Sequence, residues 1–205
     1  MPSTIGSRKK LKRSFYARGA EVVARELLGK ILVHSASDGT VYRARIVETE
    51  AYVGPHDLAA HSSKGRTKRT EVMFGPPGYA YVYLCYGMYE LLNVVTATEG
   101  DPQAVLLRAG ESLEKDTPNL SGPGKLTRGL RIDRSDYGAD FCGSKLYFLD
   151  GPAPKQIGIS ARIGVDYAKE WKDAPLRFFD RESKAVSGRK GMNHHRGSGN
   201  RQPGS

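Results

Sequence analysis

The chain has 205 residues, 39% of them hydrophobic, enough for one domain with a real core and a tight fit for two. Two cysteines, Cys85 and Cys142, are too few for a disulfide framework, and the five histidines do not fall into zinc-finger spacing with them, so no structural metal is expected. No run approaches the ~20 apolar residues of a membrane span, and the basic N-terminus has no apolar stretch behind it, so the expectation is a cytoplasmic protein with no membrane attachment.

The formal charge of +10 points to a polyanionic partner. Its distribution tempers that inference. Six basic residues precede Gly19 and five follow Glu182 with no acid in either stretch, so the body between them is near neutral. Tails of this kind are as often merely solvated as they are contacts to nucleic acid. Within the body one segment is locally basic: residues 61–70, HSSKGRTKRT, carry Lys64, Arg66, Lys68 and Arg69 among small polar residues.

Along the chain, residues 20–28 read as a short amphipathic helix, with Val23 and Leu27 four apart and Gly29 placed to stop it. Ile31 to Val33, the turn signal Ser37-Asp38-Gly39, and Val41 to Glu50 read as a hairpin. A regular pleat in its second strand puts Tyr42, Ala44, Ile46, Glu48 and Glu50 on one face. The strand then runs into AYVGP, where Gly54-Pro55 breaks the pattern. Residues 75–95 open on a Gly-Pro-Pro-Gly turn and continue as a strand with Tyr79, Tyr81 and Tyr83 on one face; Gly87 interrupts it and leaves Tyr86 at a bend. A further apolar run, Ala104 to Leu107, ends in Arg108. The loop Ser121-Gly-Pro-Gly-Lys125 leads into a helix through Leu130, and strands are expected at Lys145 to Leu149 and Leu176 to Phe179. From Ser183 onward the chain is Gly, Ser, Asn and basic residues with almost nothing to bury, so a disordered tail is expected. The division is a flexible basic arm at 1–14, a domain at 15–182 and a basic tail at 183–205.

Glu48 and Glu50 are candidate carboxylates for delivering water to an anomeric carbon, although a carboxylate on a strand is more commonly a partner for a neighbour such as Arg43 or Arg45. Tyr52, His61 and Tyr83 could stack on an extruded base, although tyrosines on an alternating strand more commonly pack a core. Taken one at a time, none of these signals is specific.

From Phe15 to about Asp180 the chain resembles the alkyladenine (3-methyladenine) DNA glycosylase family. The resemblance is carried by ARELLGKILV at 24–33, RIVETEAYVGPHDLAAH at 45–61, YVYLCYGMYELLNV at 81–94, AVLLRA at 104–109, LSGPGKL at 120–126 and PLRFF at 175–179. It implies a mixed α/β (α+β) single domain on a curved, largely antiparallel sheet with short helices. It also implies a glycosylase that flips alkylated or deaminated purines from damaged double-stranded DNA and hydrolyses the N-glycosidic bond, leaving an abasic site.

Residue by residue, the resemblance makes Glu50 the water-activating glutamate, with Arg108 helping to hold the water, and leaves Glu48 as supporting structure. Tyr52 and His61 would lie on one side of the flipped purine and Tyr83 on the other, with the backbone N–H of His61 reading the base edge. Tyr86 would wedge into the duplex, Asn93 would disfavour the 2-amino group of guanine, and a backbone carbonyl used by the family falls on Ile163. Lys64, Arg66, Lys68, Arg69 and Lys125 are the expected contacts to the DNA backbone. No cofactor is implied, a monomer is expected, and localisation would be nucleoid-associated in a bacterium or nuclear in a eukaryote. The motif region offers no desolvated lysine for Schiff-base lyase chemistry, so direct hydrolysis is expected. Two other readings stay open: a non-catalytic nucleic-acid-binding module using the same aromatic platform, and a small-molecule transferase that would leave the basic loop and Tyr86 without a role.

Overall fold

The computed structural model describes residues 8–115 and 118–188. Two helices, α1 (Arg13–Tyr16) and α2 (Ala20–Leu27), lead into the hairpin of β1 (Ile31–Ser35) and β2 (Val41–Tyr52). Helix α2 buries Ala20, Val23, Ala24 and Leu27, the spacing of a single helical face. Gly29 ends it at φ 85°, where a Cβ would stand 2.0 Å from the Pro152 carbonyl oxygen, so only glycine makes this stop.

The chain continues through β3 (Ala80–Cys85), β4 (Tyr89–Thr96), β5 (Gln103–Ser112), α3 (Pro123–Gly129), β6 (Leu146–Leu149), β7 (Ile157–Ser160) and β8 (Arg177–Asp180). The sheet runs β3-β4-β5-β2-β1-β6, with β8 also pairing β2 and β7 pairing β8, and each of these pairings is antiparallel. The sheet is curled and its helices are few and short, an α+β single domain as expected. Strand β7 was not expected: Ile157 and Ile159 point outward and Gly158 sits under the Phe179 ring, so the segment lacks a conventional buried strand face. Among the described residues, no helix is long and apolar enough to cross a membrane.

Strand β2 organises the sheet. Its first residues pair with β1; where β1 ends, Glu48, Thr49 and Glu50 pair instead with β8, while β5 runs along the other edge. The expected regular pleat fails here. The register with β5 shifts between Ile46 and Glu48 and again between Glu48 and Thr49, leaving Val47 and Arg108 as the extra residues. Ala44, Ile46 and Ala51 therefore face the core shared with α2, whereas Val47 packs with Ala109, Phe179 and Val186. Glu48 and Glu50 do not share a face with Ile46, because the extra residue Val47 resets the alternation of β2 ahead of them.

Both expected boundaries also move. Residues 8–14 are not a free arm: Leu11 N–H donates to the Phe148 carbonyl, Asp150 N–H donates to the Lys9 carbonyl, and Arg13 binds Asp140 and the Pro77 carbonyl. The open edge of β6 offers those backbone groups, and the segment takes them. At the other end, Ser183, Val186 and Ser187 are buried, so residues 183–188 belong to the folded body. Residues 1–7 and 189–205, where the rest of the expected arm and tail falls, lie outside the described residues.

Candidate active site

A cavity of about 390 Å³ opens beside β3, β4 and β5, within the range of small-molecule sites. Tyr52, His61, Tyr83, Asn93, Arg108 and Ile163 line it, so six residues far apart in sequence converge on one cavity. The period-two face of β3 brings Tyr81 and Tyr83 together, stacked with ring centroids 5.3 Å apart. His61 opens a short helical turn, His61–Lys64, where a first-turn N–H has no intrahelical partner. Its Nδ1 lies 2.8 Å from the Tyr81 hydroxyl. Burial, helped by Arg69 and Lys64, lowers its pKa to about 4, so the ring is neutral at neutral pH. His61 and Tyr83 touch edge to face at 4.5 Å between centroids, so the slot expected between them is closed and one ring must turn to seat a base. Asn93 is buried in β4 and donates through Nδ2 to the Tyr81 carbonyl at 3.1 Å.

Glu50 lies behind this wall and is fully buried. Its Oε1 accepts from the Ile163 N–H at 2.8 Å and faces Arg108 Nη1 at 3.2 Å, while Oε2 accepts from the Tyr52 hydroxyl at 3.0 Å. The Ile163 N–H and the Tyr52 hydroxyl fill two of roughly four acceptor positions of a carboxylate, Arg108 adds an ion-pair contact, and a position is left for a further donor such as water. Burial raises its pKa, opposed by Arg108, the Ile163 N–H and Tyr52, and reinforced by the negative charge of Glu48. The expected role of Ile163 rested on its carbonyl; the contact made to Glu50 is through its N–H, because this loop turns its amide toward β2.

Glu48 is equally buried and is held by Arg108 Nε at 3.1 Å, Arg177 Nε at 2.7 Å and Ser187. A second buried pair, Arg162 with Asp57, closes the other side: Asp57 also accepts from the Val53 and Ala59 N–H groups, and Arg162 donates to the Ala51 carbonyl. The Arg162 guanidinium lies 4.7 Å from the Tyr52 ring centroid, so this pair places both Tyr52 and the neighbouring Ile163 amide. Sequence reasoning missed Asp57, Arg162, Arg177 and Ser187. For the two arginines the available signal was a charge embedded in an apolar run, ARIGV and PLRFF.

At the mouth, Tyr86 is 87% exposed at the tip between β3 and β4. Tyr86 and Gly87 both have positive φ, 50° and 69°, the signature of a tight primed turn that pushes the tyrosine clear of the sheet. Tyr167, also missed, lines the cavity at 65% exposure and donates to the Ala59 carbonyl. Lys64, Arg66, Lys68 and Arg69 are all exposed, but they are not equivalent. Arg66 is paired with Glu71, whereas Arg69 reaches over the Tyr83 ring into the cavity wall. Lys125 is exposed on α3 beside Gly124, which packs against Tyr89 at the base of the Tyr86 turn.

Residues 14–184 match the family described as methylpurine-DNA glycosylase. A protein of Legionella pneumophila (strain Lens) is 52% identical over 182 residues, covering 87% of this chain and 98% of its own. A Methanocella arvoryzae protein is 52% identical over 193 residues, covering 87% of this chain and 96% of its own. One from Anaeromyxobacter sp. (strain Fw109-5) is 54% identical over 172 residues, covering 82% and 88%. All three are named as 3-methyladenine DNA glycosylases.

Proposed function

The chain belongs to the methylpurine-DNA glycosylase family, and on that premise we propose that it flips an alkylated or deaminated purine out of duplex DNA and hydrolyses its bond to deoxyribose without a covalent enzyme intermediate. The observation that carries the reading is a buried glutamate, Glu50, set between an arginine and a backbone N–H directly behind a cavity walled by Tyr52, His61 and Tyr83.

In this reading the extruded base enters the aromatic cavity and Tyr86 occupies the gap it leaves in the stack. Water takes the remaining acceptor position on Glu50. As the bond from C1′ to the purine nitrogen lengthens, its electron pair goes to the base and the sugar gains oxocarbenium character, which the carboxylate favours electrostatically. The water oxygen bonds to C1′ and one of its protons passes to Glu50. A cationic alkylated purine leaves neutral, whereas a deaminated purine leaves as an anion and takes up a proton from solvent; the products are free purine and an abasic site. Tyr52 must move for water to reach Glu50, since the carboxylate is sealed by it. Arg69 and its neighbours on the 61–70 loop would meet the phosphates flanking the flipped nucleotide.

The test is release of free purine from duplexes each carrying one lesion, under single-turnover conditions. Release by the parent and its loss in Glu50→Gln support the reading. Tight lesion binding with no base release would make the protein a binding module instead.

A further inference from the structure

Ser187 lies beyond the part of the chain that matches the family, yet it is buried against both charged partners of the site. Its N–H donates to Glu48 Oε2 at 2.6 Å, its hydroxyl donates to Glu48 Oε1 at 2.9 Å and accepts from Arg108 Nη2 at 3.3 Å, and its carbonyl accepts from Arg177 Nη2 at 2.9 Å. One residue thus uses all its polar groups on a buried Glu–Arg–Arg cluster, with the hydroxyl acting in the donor and acceptor roles open to it.

The effect on Arg108 is specific. Its Nε is held by Glu48 and its Nη2 by Ser187, which aims the third nitrogen, Nη1, at Glu50. A planar guanidinium with two of its nitrogens fixed has no freedom left to swing. The segment that delivers Ser187 is itself pinned: Ser183 Oγ donates to Glu111 and accepts from the Ala185 N–H, and Val186 packs against Val47, Ala109 and Phe179. Gly188 then passes so close to Ile163 that a Cβ there would stand 3.3 Å from its Cδ1.

We propose that residues 183–188 form a strap whose Ser187 is a positioning residue, locking Arg108 on Glu50 so that the glutamate ionises as the reaction requires. This rests on Glu50 being the general base of the proposed hydrolysis. The groups acting on Glu50 are Glu48 and Tyr52 from β2, Arg108 from β5, Tyr83 from β3, and Arg162 with the Ile163 N–H from the loop after β7. Of these groups the Ser187 hydroxyl binds two, Arg108 and Glu48, and it is Arg108 whose guanidinium faces Glu50.

The test is a 13C-NMR titration of the Glu50 carboxyl in the full chain, its signal assigned by loss in Glu50→Gln. Ser187→Ala keeps the two backbone bonds of the residue and removes the hydroxyl. It should raise the Glu50 midpoint by about one pH unit, the scale on which a neighbouring arginine acts on a carboxylate. Ser187→Thr, which keeps the hydroxyl, should restore the parent midpoint. An unmoved midpoint in folded Ser187→Ala overturns the proposal, as does an equal rise in Ser187→Thr. Should the alanine variant not fold, Ser187→Cys fills the site with a weaker donor and must show a rise in the same direction. Base release is scored separately. A shifted midpoint in a chain that releases no purine would sink the glycosylase reading while leaving the strap in place; purine release with an unmoved midpoint would do the reverse.

Discussion

Glu48 and Glu50, two residues apart on β2, share a single guanidinium: Arg108 Nε is 3.1 Å from the first and Nη1 is 3.2 Å from the second. The two carboxylates are otherwise unlike. Glu48 is surrounded by fixed donors from Arg108, Arg177 and Ser187, while Glu50 has weaker support from Tyr52 and Ile163.

This asymmetry separates two amide substitutions. Glu50→Gln should keep the fold and lesion binding while excision falls by ~10²–10⁴-fold, the usual cost of losing a general base. Glu48→Gln breaks a buried pair and should lower stability by about 3–5 kcal/mol, with slower excision following from a misplaced Arg108. Thermal unfolding and single-turnover base release, measured on both, check the contrast. A stable, fully active Glu48→Gln together with an unfolded Glu50→Gln would reverse the assignment.

Because burial raises the Glu50 pKa, excision should increase with pH through a midpoint above the ordinary 4.5. The base must be ionised to accept a proton, so the acidic side is the inactive one. Arg108 is the largest influence holding that pKa down, so Arg108→Gln should move the midpoint further upward. The stability contributed by Glu50 has the opposite sense: a raised folded-state pKa means that it is full below the unfolded value and declines as pH rises through the folded midpoint. A rate profile with its acid limb at or below 4.5 would contradict this.

Tyr86 packs against little, being 87% exposed, and holds a positive φ that costs a non-glycine residue energy. Tyr86→Gly should therefore leave thermal stability equal or slightly higher. Base release from duplex DNA should fall, since stacking worth about a few kcal/mol at the gap is no longer replaced. Equal release from duplex by variant and parent would remove the wedge role.

Two truncations distinguish the strap from the basic residues beyond it. Ending the chain after Glu182 removes Ser183, Val186 and Ser187 from their buried partners and should lower both unfolding temperature and excision. Ending it after Gly188 keeps the strap in place and removes Arg189, Lys190, Arg196 and Arg201. That smaller deletion should weaken duplex binding mainly at low salt, with a salt slope reduced by at most ~0.9 for each phosphate no longer neutralised. Identical behaviour of the two truncations would refute the division.

The local elements were legible in the residues themselves, while the candidate site residues were singled out by the family resemblance. Helix α2, the β1–β2 hairpin, the tyrosine face of β3 and the bend at Gly87 follow from apolar spacing and turn chemistry, which act between near neighbours. Strings such as ETEAY and YGMY carried the family resemblance; Tyr52 and Tyr86 line the cavity, and Glu50 lies buried behind its wall. What the tertiary structure alone decided is direction and support. Whether Glu50 faces the core or the cavity wall depends on the bulge at Val47, set by pairing with β5, a strand more than fifty residues away. The partners of Glu48 come from positions 60, 129 and 139 residues distant, and Ser187 stands in a stretch whose composition reads as disorder. Composition measures how much a segment can bury of its own; it does not register a hydroxyl and an amide that a buried carboxylate elsewhere in the fold requires.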